Sequence, residues 1–463
     1  MTAVPPRPIR RRTLLMTGAA AGTVVPLVGW DTLTAEAAPL QLERKLHRRQ
    51  IASVEQAWSF LGGVKDAYRT SGPRLAQSFQ DASGLGDIAF IYDNALTLMA
   101  LLAAGDVKGA RAIGDALLFA QSHDETFTDG RLRQAYHADT FVNGAGTGHE
   151  TAHFGWEFGL VGTAVGDMAW SGIALAQLAR RTGAKTYLDG TVAIGQWIQD
   201  KAYSSTGLGG YTFGETAGLE DHKSTEHNID VFAFFRLLAD LTGDAVWTQR
   251  AEHAWAFVKQ MWNAAGGFFW TGSDDGAAIN QARAQLPLDV QTWSWLAAGQ
   301  RSYADALDWA RTNLASIDTP LRANSALTGN QTAQGAVFAS GSLITDTDVE
   351  IAGLAYNPKP DDGAVWFEGT AQLALALRDR GRPEDPARSA DLLAQLRAAQ
   401  SQFGAGQRFG GTRVNGGIVA ASSPIDTGFK FGYYPNLHIA ATSWYIFAAT
   451  GTNPYRFISG SRH

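Results

Sequence analysis

The chain has 463 residues, of which 45% are hydrophobic and 18% charged, and its formal net charge is −6 at pH 7. That composition supplies a large core and excludes a disordered chain, while the acidic balance excludes a binder of nucleic-acid backbone. With 0 cysteines, a disulfide scaffold, a Cys-ligated zinc, an iron–sulfur cluster and thiol catalysis are also excluded.

The first segment reads as an address. Arg10-Arg11-Arg12 precedes Thr13-Leu14-Leu15-Met16, a weakly apolar stretch follows from Thr17 to Gly29, and Ala35-Glu36-Ala37 stands before Ala38. Basic, apolar and small-residue regions in that order make a bacterial export signal. The consecutive arginines resemble those of a twin-arginine signal. The expectation is export by the twin-arginine machinery and cleavage after residue 37. The mature chain, 38–463, is then secreted, periplasmic or cell-wall associated. It carries 34 basic and 42 acidic residues, a net charge of −8. It has no run of about 18 uninterrupted apolar residues, so no stable membrane insertion is expected.

Beyond the signal, an amphipathic helix is predicted near 51–70. Apolar helices follow near 93–104, 167–181, 227–242, 289–299, 367–380 and 437–450. Amphipathic ones lie between them near 107–121, 185–200, 245–262, 302–315 and 386–402. Trp247, Ala251, Ala254, Trp255 and Val258 show the helical stripe in one of these. Each apolar helix but the last ends at a glycine or polar turn, as in Leu241-Thr242-Gly243-Asp244, which is what a tight helix–helix connection needs. The pattern repeats at intervals of 60 to 78 residues, so one repeating architecture replaces the three domains that length alone suggests.

The connections are unequal. Turns after apolar helices are short, whereas 122–166, 201–226, 263–288, 316–366 and 403–436 are long and rich in glycine and aromatics. All the long loops deliver the chain to an apolar-helix start, so one face is expected to carry function, with short β-hairpins in the loops. The arrangement resembles the six-hairpin, (α/α)6-toroid glycosidases and related sugar-processing enzymes, over nearly all of the mature chain. The resemblance implies an all-α ring of six inner and six outer helices, with a site at the N-terminal ends of the inner ones. It also implies a carbohydrate substrate and, in most such enzymes, inversion at the anomeric carbon.

Read at the inner-helix starts, the sequence gives Tyr92-Asp93-Asn94, Asp167, Thr225-Glu226-His227-Asn228, Asp289, Trp366-Phe367-Glu368-Gly369 and Tyr433-Tyr434-Pro435-Asn436. Carboxylates suit acid–base work on a sugar and flat rings suit sugar faces. Asp167 reads as a helix cap. Glu226 is the first candidate for proton donor, because Asp230 lies four residues on along the same face. The base is expected from Asp93 or Asp289, at about 6.5–9.5 Å for an inverting enzyme. Tyr92, Trp156, Glu157, His227, Asp230, Trp293, Trp366, Glu368 and Tyr433 are candidates for holding substrate. Trp170 and Trp293 fit a core role equally well.

Other motifs are weak. Ser273-Asp274-Asp275-Gly276 reads as a turn, and His149 and His153 lack the HExxH pattern. Neither a phosphate-binding Gly-rich loop nor a G-x-S-x-G nucleophile is present, so no metal or cofactor is expected. Three other readings compete. A sugar 2-epimerase of the N-acylglucosamine type would use His227, but Ile229 stands where its second histidine aligns. A polysaccharide lyase would want a basic groove for uronates, and Lys223, Arg131 and Arg133 are few. A non-catalytic glycan binder is the third.

Overall fold

The computed structural model describes residues 48–69, 72–156, 159–351 and 358–458. The export-signal region and Glu157 lie outside them. Among the described residues there are twelve α-helices: α1 Arg48–Lys65, α2 Ile91–Ala104, α3 Val107–Ser122, α4 Val165–Thr182, α5 Lys185–Ala202 and α6 Thr225–Thr242. The second half holds α7 Ala245–Gln260, α8 Leu288–Ala298, α9 Asp305–Asn313, α10 Phe367–Arg380, α11 Asp385–Gln402 and α12 Ile439–Thr450.

The even-numbered helices form the inner ring. Each packs on its two inner neighbours, and α12 packs back on α2 to close the circle. Their composition explains the placement. Every residue from Ile439 to Ala449 of α12 is buried, as a helix apolar all round must be. The outer helices bury one face only. In α7 that face is Trp247, Ala251, Ala254, Trp255, Phe257 and Val258. The outer helix α1 packs on α12 and completes the sixth hairpin.

Each inner helix ends on a glycine in the left-handed region: Gly105, Gly183, Gly243, Gly299, Gly381 and Gly451, with φ between 61° and 84°. The Gly243 N–H donates to Ala239 O, satisfying a carbonyl that the helix end would leave bare. The short turns that follow place the next outer helix antiparallel at once.

The loop face is stitched together. Expected hairpins within single loops are present, such as Ala315–Asp318 against Ala333–Ala336. Other pairings join consecutive loops. The strand entering α2, Ile88–Phe90, pairs with Ala135–His137, and the one entering α4, Thr163–Ala164, pairs with Gly214–Glu215. Lys223–Ser224, ahead of α6, pairs with Gly272–Ser273. Single bridges continue the circle at Pro287 with Ala339, Trp366 with Ala421, and His438 with Phe79. The last of these returns to the first loop.

Three helix bounds differ from expectation. Helix α1 is shifted toward the N-terminus and ends at Lys65, five residues before the expected 70. The outer helix expected over 302–315 is split into a 3-10 turn, Arg301–Tyr303, and the short α9. Helix α12 begins at Ile439, because Leu437–His438 is committed to strand pairing with Ile418–Val419.

Candidate active site

The paired strands fix where each inner helix starts, and so which residues occupy its first turn. Five first turns contain one acid each: Asp93 on α2, Asp167 on α4, Glu226 on α6, Asp289 on α8 and Glu368 on α10. The sixth inner helix is preceded by His438, its N-cap residue. None of the five acids caps its own helix. The N-cap positions fall to Phe90, Ala164, Ser224, Pro287 and Trp366, and of these only Ser224 caps with its side chain, accepting from His227 N–H. The cap role expected for Asp167 is therefore corrected. Strand pairing sets the helix start at Val165 and leaves the Asp167 carboxyl inside the first turn.

One side of the ring concentrates acids. Burial, reinforced by the charges of Asp289, Asp230, Asp167 and Glu368, holds the Glu226 carboxyl well above the usual range. Burial pushes Asp289 up to about 7 against the pull of backbone N–H groups, one of which, from Val290, donates to Oδ1 at 2.6 Å. Asp167 is also pushed up to about 7, by burial and then by the Asp93 charge. Asp230 is fully buried, and its Oδ1 accepts from Tyr455 OH at 2.7 Å. Burial holds it well above its ordinary value as well. The expected interaction of Glu226 with Asp230 is thus present. Adjacent to this group, burial lowers His227 to about 4 and keeps it neutral. Its ring packs on Gly166, where an added Cβ would stand 2.5 Å from it.

The other side is a hydrogen-bonded chain. Trp444 Nε1 donates to Tyr92 OH at 2.9 Å, and Tyr92 OH donates to Glu368 Oε1 at 2.6 Å. Gln372 Nε2 reaches the same oxygen at 3.3 Å. His438 Nε2 pairs with Asp93 Oδ2 at 3.0 Å, while its Nδ1 faces Glu368 Oε2 at 3.8 Å. A carboxylate only accepts, so the ring proton is assigned to Nε2 and Nδ1 is left bare. Phe79 stacks on the His438 ring with centroids 4.1 Å apart and an interplanar angle of 7°. Burial pushes Glu368 up to about 7, against the lowering effects of His438 and the Tyr92 hydroxyl.

The aromatic candidates separate by depth. Trp293 is buried in a floor with Trp170, Trp444 and Tyr455, its ring 5.2 Å from Trp170 and stacked at 5.9 Å on Trp444. Tyr92 lies against this floor, 5.5 Å from Trp170. Trp366 is buried against Gly369 and stacks at 5.8 Å under the half-buried Tyr433, so Tyr433 is the more open of the two. Trp156 is 61% exposed on the loop that leads toward α4.

His438, Trp444, Tyr455 and Gln372 were not among the residues expected at the site. The signal for His438 was present: five inner helices carry an acid in the first turn, and the sixth, which has none, is immediately preceded by this histidine. Tyr455 had no such signal, because it arrives from the tail after α12. Among the described residues, no group of three His, Asp or Glu side chains could hold a metal ion.

No protein-family profile matches the chain, and no curated protein matches it. Solved structures do resemble it. One is a wild-type glycosidase, 12% identical over 88% of this chain and 99% of its own, with a TM-score of 0.55. Another is a family 76 glycoside hydrolase from a bovine Bacteroides thetaiotaomicron strain, 11% identical over 86% of this chain and 76% of its own, at 0.53. A D-mannose isomerase is 10% identical over 86% of this chain and 95% of its own, at 0.53. At these identities the likeness establishes the ring fold and leaves the chemistry to the residues at its mouth.

Proposed function

We propose that the protein is an exported glycoside hydrolase that cleaves a poly- or oligosaccharide with inversion, and that Glu226 is its proton donor. The observation that carries this reading is the setting of Glu226: half-buried at the start of α6, with Asp230 one turn further on and the charges of Asp289 and Asp167 acting on it. A carboxyl that cannot shed its proton next to three others is suited to deliver it to a leaving glycosidic oxygen. A second carboxyl across the mouth then serves the incoming water. The half-buried Tyr433, backed by the buried Trp366, offers a flat face to a sugar ring. The same-fold structures include glycosidases, one of them described in complex with glucose and one as a mannosidase. Glucose- and mannose-containing glycans are therefore the first to test. The twin-arginine signal assigns the place of action outside the cytoplasm.

The first turns of the six inner helices contain neither Lys nor Arg. A uronate carboxylate would meet no Lys or Arg cation there, which disfavours a lyase. A sugar epimerase remains the second reading, on the observation that two histidines, His227 and His438, stand at the starts of inner helices. The test is the chain from Ala38 onward, incubated with neutral and uronic glycans while product length and exchange at C2 are followed. The hydrolase reading expects shortened products, and E226Q slows their release about 10³-fold on natural glycans. Deuterium exchange at C2 without shortening would replace it with the epimerase. Binding without any product would make the protein a glycan binder.

A further inference from the structure

The sequence left the base open between Asp93 and Asp289, and the geometry disfavours both. Asp289 is on α8, which packs directly against α6, and its charge is the neighbour that acts most strongly on Glu226. Asp289 also has Oδ1 engaged, by the Val290 N–H at 2.6 Å. Asp93 already has Oδ2 engaged by His438 at 3.0 Å.

Glu368 differs from both. Helix α10 is separated from α6 by α8 around the ring, so Glu368 stands one inner helix further from Glu226 than Asp289 does. It is the weakest of the four charges acting on Glu226. Its Oε1 is held by Tyr92 at 2.6 Å and by Gln372 at 3.3 Å. Its Oε2 has no hydrogen-bond partner, although the residue is only 1% exposed. His438 Nδ1, 3.8 Å away and on a residue equally buried, has none either. A buried polar atom without a partner costs about 1–3 kcal/mol, and two of them face to face call for an explanation. With the imidazole neutral and the carboxyl ionised, both are acceptors, and what they then lack is a donor with two hydrogens. A water oxygen about 2.8 Å from both would see them roughly 85° apart, about 20° less than its own H–O–H angle, so the two atoms, which have almost no accessible surface as they stand, part by a few tenths of an ångström to admit it.

We propose that Glu368 is the catalytic base and that the attacking water is held between Glu368 Oε2 and His438 Nδ1. The proposal rests on the hydrolase reading. One water hydrogen points to Oε2 and the other to Nδ1, which turns the oxygen lone pair toward the anomeric carbon. As the new C–O bond forms, Oε2 takes the first proton and the glycosidic C–O bond breaks. The leaving oxygen takes the proton of Glu226. Water is consumed, and the two carboxyls exchange protonation states before solvent resets them. Tyr92 and Asp93 are positioning residues: Tyr92 fixes Oε1, and Asp93 keeps the ring proton of His438 on Nε2.

The test uses 2,4-dinitrophenyl and methyl glycosides of the shortest oligosaccharide that the wild-type protein cleaves. A base is needed whatever the leaving group, whereas an acid is needed only for a poor one. E368Q is expected to lower kcat about 10³-fold on both, and E226Q about 10³-fold on the methyl glycoside but less than tenfold on the dinitrophenyl one. D289N retains at least a tenth of wild-type kcat. In E368A, added azide occupies the water position and restores turnover, giving a glycosyl azide of inverted configuration. H438N lowers kcat with KM unchanged. If E368Q retains a tenth or more of wild-type kcat on either substrate, or E368A binds the oligosaccharide and azide gives no acceleration, Glu368 is not the base. A wild-type protein that cleaves no glycan defeats the hydrolase reading itself, a distinguishable outcome.

Discussion

Glu226, half-buried, and Glu368, buried, are both glutamates in the first turn of an inner helix, yet their neighbours differ. Glu226 has acids around it, while Glu368 has a tyrosine hydroxyl on one oxygen and an imidazole near the other. The first environment retains a proton and the second releases one more readily. This gives a signed pH dependence. Turnover rises as pH climbs through about 7, where Glu368 ionises, and falls at higher pH as Glu226 loses its proton. Y92F removes a bond that favours the ionised form of Glu368. The rising limb should therefore move to higher pH and kcat should fall about tenfold, which a kcat profile of the two proteins checks. An unmoved limb would separate Tyr92 from the base. The effect of the Asp230 charge on Glu226 was legible in the sequence, because four residues along a helix is a fixed geometry. The chain from Trp444 through Tyr92 to Glu368 was not, because its members lie on three helices that only closure brings together.

At the scale of elements, helix ends were the most legible feature. Gly105, Gly183, Gly243, Gly299 and Gly381 mark their own C-caps, since the positive φ is a local requirement that glycine meets at no steric cost. G243A is expected to cost about 1 kcal/mol in urea unfolding, with kcat unchanged, because the cap lies at the end of α6 remote from the mouth. An unchanged midpoint would show that the turn tolerates a side chain. Helix starts were less legible. Asp167 matches the composition of a cap, but strand pairing between loops distant in sequence decides where α4 begins. A window along the chain carries no trace of such pairing. It also set the correct start of α12 and freed His438 to face Asp93.

At the scale of the whole molecule, closure combines two devices. On the loop face, Phe79 bridges His438 and joins the last loop to the first. On the opposite side, the tail after α12 is tied to the ring by Asn453 Nδ2 to Leu296 O at 2.8 Å and Gln177 Nε2 to Arg456 O at 2.7 Å, and it sends Tyr455 to Asp230. The twelve-helix count and the inner–outer alternation could be read from the repeat, but the tail's plug could not. A ring of buried acids also has a consequence for stability. Glu226, Asp230, Asp289 and Glu368 have folded-state values raised above those of an unfolded chain. Their stabilising effect is full below about pH 4; that of Asp289 and Glu368 is lost as pH rises through about 7, and that of Glu226 and Asp230 is lost as pH rises through their own raised values. His227, lowered to about 4, acts in the opposite sense between about pH 6.5 and 4. The ligand-free protein should therefore be less stable at pH 8 than at pH 6. D289N should restore about 2 kcal/mol at pH 8 and little at pH 5, as read from urea unfolding at both pH values. Equal stability of wild type and D289N at pH 8 would contradict this.

The central claim is that this ring of acids cleaves a glycosidic bond by direct displacement. Proton NMR of the chain from Ala38 onward acting on a mannan or glucan, recorded before the new hemiacetal mutarotates, tests it most directly. The account predicts that the first product signal has the anomeric configuration opposite to that of the bond cleaved, and that E226Q and E368Q abolish it. Retained configuration, or loss of the C2 proton signal in deuterium oxide with the chain uncut, would contradict it.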